Sequence, residues 1–142
     1  MNLDYYKLMA YDKLQQDIKE VCQINMVEGT CLLWLKRNNV RITVERFFED
    51  VIFLGSTGQK DIHGKEIYEG HIIESILTVG KMVVKYGEYK AYCPADKQCM
   101  KNVGFYVSME GCPDMPIGPT EEYAEIIGHI NVNHKLMIGN GN

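Results

Sequence analysis

FLGSTGQKDIHGKEIYEGHII, residues 53–73, is the stretch that decides the fold of this chain. It holds four of the thirteen glycines and reads as a strand, a turn-rich loop and a second strand. Asp61 can accept hydrogen bonds from the backbone ahead of it, and Gly64 can adopt a positive φ without a Cβ penalty, which predicts a tight turn between them. Gly70 predicts a second turn or bulge before the apolar end of the stretch.

Short alternating strands surround this stretch. The clearest alternation is at residues 40–45, where Val, Ile and Val alternate with Arg, Thr and Glu, a period of two. Asn38-Asn39, just before it, is a hairpin signal. Further strands are predicted at residues 5–11, 22–26, 30–35, 73–79, 81–86, 103–107 and 126–132. No long stripe of helical period occurs, and short strands roughly ten residues apart favour an all-β sandwich or barrel.

Several segments between the strands carry predictions of their own. Tyr89–Asn102 contains Pro94 and two cysteines and is predicted to be a surface loop. Thr120 is predicted to be the N-cap of a short helix. Residues 45–50 fit either an extension of the preceding strand or one helical turn, and both alternatives stay open.

Length, charge and cysteine content define the class of protein. A chain of 142 residues fits a single domain, residues 1–142. The net charge of −4 disfavours nucleic-acid binding, which usually needs a basic patch. The longest uncharged apolar run, Cys31–Leu35, is far below the roughly 20 residues of a membrane span. No leader-like segment opens the chain, so we expect a cytoplasmic protein whose five cysteines are free thiols.

Three blocks of sequence carry a resemblance to a known family. The central block is Gly58–Asp61 followed by Gly64–Gly70; the outer blocks are Lys7–Asp12 and Glu125–Ile130, the latter followed by Asn133 and Leu136. Together they resemble the YopX-like family of phage and prophage proteins over nearly the whole chain. The resemblance implies a mostly β pseudo-barrel with one or two short helices, a phage or prophage origin, residence in the host cytoplasm, and no established biochemical role.

The chain departs from the family pattern at several polar positions. His71 stands where the family usually has Asp, His129 where it has Asn, and His134 where it has Pro. The three further departures are Met9 in place of Arg, Gln59 in place of Leu, and Lys135 in place of Glu. A function that depends on those family side chains is therefore not carried over to this chain.

Three possible chemical sites were weighed. Gly58–Lys65 does not fit a phosphate-binding loop, because the glycine spacing is one residue too long and Glu66 follows the lysine. His71, His129 or His134 could bind a metal with Glu69 or Asp61, but scattered surface histidines are the favoured interpretation. Three unrelated thiols are likewise favoured over a zinc site at Cys93, Cys99 and Cys112. We therefore predict no catalytic residue, no metal and no cofactor.

The charged run in the central block is the candidate recognition loop. Its members are Lys60, Asp61, Lys65, Glu66, Tyr68 and Glu69. One interpretation is a solvated hairpin face whose charges compensate each other. The other is a binding loop held by a rigid scaffold, since recognition residues often lie on such loops.

Three functions compete, and the first is favoured. It is a non-catalytic binding or assembly module that binds a phage or host protein. The alternatives are a metal-dependent hydrolase with histidine and carboxylate ligands, and a nucleic-acid-binding accessory protein, which the net charge disfavours. Formation of a homo-oligomer is left open.

Overall fold

The structure is a computed structural model that describes residues 7–137. Eleven β-strands and three 310 segments make up this part of the chain. The strands are β1 (Leu8–Asp12), β2 (Asp17–Asn25), β3 (Thr30–Arg37), β4 (Val40–Phe47), β5 (Val51–Lys60), β6 (Glu66–Tyr68), β7 (His71–Ser75), β8 (Lys81–Cys93), β9 (Gln98–Ser108), β10 (Met115–Pro116) and β11 (Ala124–His129). The 310 segments are Phe48–Asp50, Thr120–Glu122 and His134–Met137. The predicted all-β class is confirmed, with three 310 segments in place of one or two short helices.

The described residues up to Ser56 form the first of two compact units. Its strands lie in the order β4-β3-β2-β1-β5, and every neighbouring pair is antiparallel. Asn38 and Asn39 join β3 to β4 with φ of 51° and 64°. Both angles are left-handed, as a type I′ turn requires, so the predicted hairpin is confirmed. The buried core of this unit is made by Ala10, Cys31, Leu33 and Val51.

A buried ion cluster, which the sequence did not predict, lies in the same unit. The fully buried Asp12 carboxylate accepts hydrogen bonds from Arg46 Nε at 2.9 Å and Lys19 Nζ at 3.1 Å, and one from the Leu14 N–H at 3.0 Å. Burial raises the pKa of the Asp12 carboxyl, but these hydrogen bonds outweigh burial and bring the pKa below its ordinary value. Because each charge is paired, removing one partner would leave an uncompensated buried charge.

The described residues from Thr57 onward form the second compact unit. Its five-stranded sheet has the order β10-β9-β8-β7-β11, and its pairs are antiparallel. The buried core consists of Ile67, Ile73, Met82, Val84, Val107 and Ala124. The prediction that residues 1–142 form one domain stays a prediction.

The predicted surface loop at Tyr89–Asn102 is wrong. These residues form the outer part of a long β8–β9 hairpin, in which Tyr89 pairs with Asn102 and the ladder continues to Cys93 and Gln98. Pro94 lies in the turn at the tip, where it interrupts no ladder hydrogen bond. The cysteines and proline that suggested a loop are therefore compatible with a ribbon.

The remaining local predictions are confirmed in part. Residues 45–50 combine the two alternatives, because the strand β4 continues to Phe47 and one 310 turn follows it. Thr120 begins a short helical turn as predicted but makes no N-cap hydrogen bond. Its buried Oγ1 instead donates to the Lys60 carbonyl at 2.7 Å. In the predicted first strand, residues 5 and 6 lie outside the described part of the chain. No helix within residues 7–137 is long and apolar enough to cross a membrane.

Candidate recognition surface

The recognition loop, Lys60–Glu69, is organised by the carboxylate of Asp61. Asp61 is 2% exposed, and its Oδ1 accepts the backbone N–H groups of His63 and Lys65, each at 2.9 Å. Its Oδ2 accepts the N–H of Ile126 in β11 at 3.2 Å. Burial raises the pKa of this carboxyl, but the three N–H donors outweigh burial and hold the pKa below its ordinary value. The prediction of a solvated charged face is therefore wrong at Asp61, which fixes the loop from inside.

The other five residues of the predicted recognition loop are more accessible. Lys60 and Lys65 are exposed, and Glu66, Tyr68 and Glu69 are half-buried. Their backbone is fixed by the same turn and by β6, so the two lysines project from a rigid segment. Their role in recognition stays a prediction.

Gly64 and Gly70 both have the positive φ that the sequence indicated. Gly64 has a φ of +78° and donates its N–H to the Asp61 carbonyl at 3.0 Å, which closes the predicted turn. Gly70 has a φ of +92°, and a Cβ at this position would lie 2.5 Å from His129 Nε2. Position 70 therefore excludes side chains for two reasons, the backbone angle and the approach of the His129 ring.

The expectation of scattered surface histidines is wrong for His71 and His129. The two residues are 7% and 3% exposed, and their ring centroids lie 5.4 Å apart. Tyr68 packs against both rings, at centroid distances of 3.9 Å from His71 and 5.8 Å from His129. The two histidines are 58 positions apart in the chain, and they converge because β7 and β11 are neighbours that pair His71 with His129.

Both rings are fixed by backbone hydrogen bonds as neutral imidazoles. His71 Nδ1 accepts the Tyr68 N–H at 3.0 Å. His129 Nδ1 accepts the Asn131 N–H at 3.1 Å, and its Nε2 donates to the Glu69 carbonyl at 2.9 Å. Burial, together with the neighbouring His129, lowers the pKa of His71 to about 3. Burial also lowers the pKa of His129, against the opposing effect of its bond to Glu69.

The alternative metal site does not assemble among the described residues. His134 is exposed in the last 310 segment. His129 uses both ring nitrogens in backbone hydrogen bonds, and Asp61 uses both carboxylate oxygens in the same way. Within residues 7–137 no group of three or more His, Cys, Asp or Glu side chains is placed to hold a metal ion. The pair His71 and His129 is thus a packing feature of the second unit.

An exposed apolar turn in the second unit is the main feature that the sequence analysis missed. Residues 73–79 were predicted to be one strand, but β7 ends at Ser75 and the chain turns away. Ile76, Leu77 and Val79 are 55%, 76% and 97% exposed. We call Ile76–Val79 the apolar turn. Alternating apolar residues suggested a strand here, although no strand in the described part of the chain pairs with them.

A groove of about 280 Å³ adjoins the apolar turn. Thr78 of the turn lines it, together with Ser75, Gly80, Met82, Val107, Met109, Met115, Pro116, Ile117, Gly118 and Tyr123. Three methionines in one groove provide flexible, polarizable walls that can adapt to different apolar groups. The groove and the apolar turn meet at Thr78, which belongs to both.

The recognition loop and the apolar turn lie on opposite sides of the start of β11. The Ile62 N–H donates to the Ala124 carbonyl at 2.9 Å, and the Ile76 N–H donates to the Tyr123 carbonyl at 2.8 Å. On the loop side, His63 Nε2 lies 3.3 Å from a Glu125 carboxylate oxygen. The charged side chains of the recognition loop and the exposed apolar side chains of the apolar turn are therefore separated by β11.

Comparison with known proteins gives a family and a fold. The family described as YopX protein matches residues 4–137. A crystal structure of protein EF1440 from Enterococcus faecalis is similar, with a TM-score of 0.55 and 16% sequence identity, over 92% of this chain and 96% of that chain. At this identity the likeness shows the fold alone. No curated protein sequence matches the chain. The family match covers almost the full length, and the chain therefore belongs to the YopX protein family.

Proposed function

We propose that this chain is a non-catalytic protein-binding module of a phage or prophage, acting in the cytoplasm of the host cell. The observation that carries the proposal is the apolar turn beside its methionine-lined groove. Leu77 and Val79 are 76% and 97% exposed, so each would lose much water-contacting apolar area on binding a partner. Three large exposed apolar side chains within four residues, at Ile76, Leu77 and Val79, are typical of a protein-interaction site.

The chemistry of the surface indicates the kind of partner. A groove of about 280 Å³ with apolar walls suits an aromatic or branched aliphatic side chain, inserted as an anchor. The exposed Lys65, on the recognition loop of the same unit, would favour acidic groups elsewhere on the partner. Since the Asp61 hydrogen bonds already fix the loop, binding would cost little ordering entropy.

The phage or prophage origin is supported by the sequence motifs. The central block at residues 58–70 resembles the signature of phage and prophage proteins, and the family match covers the same residues. A prophage gene should be transcribed when the host is treated with a DNA-damaging inducer. Transcription that is unchanged under conditions that induce neighbouring prophage genes would contradict this part of the proposal.

Nucleic-acid binding is a second candidate, favoured by one observation. The β8–β9 hairpin contains five lysines and two carboxylates, and a two-stranded ribbon fits the major groove of DNA. Lys101 is, however, paired with Glu88 at 3.0 Å, and the net charge of the chain is −4. A mobility shift with duplex DNA that weakens steeply with salt, and is lost in Lys90→Ala, would favour this candidate over the first.

Site-specific photo-cross-linking in host cells tests the protein-binding proposal. A benzophenone amino acid at position 77 should give one discrete protein adduct, because Leu77 is at the centre of the apolar turn. The matched control places it at position 27, since Val27 is also exposed, at 96%, but lies in the first unit. The proposal is overturned if position 77 gives no adduct, or gives the same mixture of adducts as position 27.

A further inference from the structure

β4 is an edge strand of the first unit. It lies at the end of its sheet, and β3 is its neighbour among the described residues. All eight of its residues pair with β3 without a register shift, and it contains no proline. Val40 and Phe47 are 58% and 59% exposed. Natural proteins usually protect such edges with a bulge, a proline, a covering segment or charged side chains. β4 has charged side chains at Arg41, Glu45 and Arg46, so a strand that pairs with it must offer complementary charges.

The hairpin turn determines which backbone groups of β4 are free. In a two-residue type I′ hairpin, the residues next to the turn form a hydrogen-bonded pair, here Arg37 and Val40. Hydrogen-bonded and non-hydrogen-bonded pairs alternate along an antiparallel ladder. Arg41, Thr43 and Glu45 therefore direct their N–H and C=O groups away from β3, towards the free edge.

We propose that two copies of this chain associate through β4, antiparallel, with Thr43 on the two-fold axis. In this register the outward-directed groups of each strand meet those of the other strand, so Thr43 pairs with Thr43 of the second copy and Arg41 pairs with Glu45. Each strand thus places a guanidinium opposite a carboxylate, twice per dimer. The register is self-complementary, as a two-fold interface requires.

Side chains on both faces of β4 fit this register. On the face shared with Leu33, Ile42 would lie opposite Val44 of the second copy, and both are apolar. On the other face, Arg41 already lies 4.0 Å above the Trp34 ring, which holds its guanidinium along that face.

Existing hydrogen bonds of β4 are compatible with pairing. Arg41 Nη2 contacts a Glu20 carboxylate oxygen at 3.3 Å and keeps further N–H donors for Glu45 of the second copy. The Glu45 carbonyl accepts Arg46 Nη1 at 3.0 Å and has a second lone pair for an inter-strand bond. A register that set Arg41 opposite Arg46 would bring like charges together. In that register the outward-directed N–H and C=O groups of one strand would also face residues of the other strand whose N–H and C=O groups already bond to β3.

Charge reversal with rescue tests both the dimer and its register. Sedimentation equilibrium of the full chain should show a monomer–dimer equilibrium. Arg41→Glu and Glu45→Arg should each raise the dissociation constant about tenfold, because two opposite-charge pairs become like-charge pairs. The double variant R41E/E45R restores both pairs and should return to within about threefold of the wild type. Lys85→Glu, an exposed charge change on β8 of the second unit, is the matched control and should leave dimerisation unchanged.

Residue-resolved hydrogen exchange of the unmodified chain gives a second measurement that needs no variant. The amides of Arg41, Thr43 and Glu45 should gain protection as protein concentration rises. The amides of Ile42 and Val44 already bond to β3 and should change little. A chain that stays monomeric up to about 1 mM overturns the proposal. So does a dimer that is insensitive to both charge reversals, or one whose concentration-dependent protection lies outside β4.

Discussion

Acid should destabilise this protein in a pH window that is set by His71. The folded state holds its pKa at about 3, whereas an ordinary histidine has a pKa of 6.5. Between these values the unfolded chain binds a proton that the folded chain does not, so stability falls as pH falls through this range. Each pH unit weakens folding by about 1.4 kcal/mol, which makes the loss at pH 5 about 2 kcal/mol from His71 alone. His129, whose pKa is lowered in the same direction, adds to it.

Urea unfolding at pH 7.5, 6.5, 5.5 and 5.0 measures this effect. His71→Asn removes the titrating group while its side-chain oxygen can still accept the Tyr68 N–H, so the variant should lose about 2 kcal/mol less than the wild type between pH 7.5 and 5. The exposed His134→Asn is the control and should keep the wild-type acid dependence. Asp12 and Asp61 do not confuse the result, because carboxyls with a lowered pKa lose their contribution only below about pH 3.8. Equal losses in the wild type and His71→Asn would refute the buried, neutral state of His71.

The other predictions concern stability and thiols. Gly64→Ala should lower the free energy of unfolding by about 1–2 kcal/mol, because the residue has a φ of +78°. Gly70→Ala should lower it further, because its Cβ also displaces the His129 ring. Equal losses for the two variants in urea melts would contradict this contact with His129. Asp61→Ala should lower the free energy of unfolding by about 3 kcal/mol or more, because it leaves three backbone N–H groups without their acceptor. Lys60→Ala and Lys65→Ala should change it by no more than about 0.5 kcal/mol. Lysine variants as unstable as Asp61→Ala would show that the lysines, too, are structural. Thiol titration of the denatured, unreduced protein should find all five cysteines, and a count of three or one would reveal a disulfide.

Local patterns in the sequence predicted much of the fold. The alternation at residues 40–45, the Asn38-Asn39 turn and the turn from Asp61 to Gly64 each depend on neighbouring residues, and all are confirmed. Such features can be read from sequence because backbone angles and side-chain alternation are set within a few positions.

Features that depend on distant residues were not predicted. Asp12 meets Arg46 across 34 positions, and His71 meets His129 across 58, so only the strand order brings either pair together. The apolar turn was missed for the opposite reason, because its local alternation is typical of a strand, whereas no strand within residues 7–137 pairs with it. The proline and cysteines of residues 89–102 likewise suggested a loop in place of the β8–β9 ribbon, because the ladder of that ribbon depends on pairing between its two strands.

Isothermal titration of the protein captured at position 77 tests the central claim most directly, that the apolar turn and its groove bind a protein partner. Leu77→Asp should weaken binding at least about thirtyfold, because it puts a charge at the centre of an apolar contact. Val27→Asp, an equally exposed apolar-to-acidic change in the first unit, should bind as the wild type does. An affinity of Leu77→Asp within about twofold of the wild type, in a variant whose urea melt is unchanged, would contradict the claim.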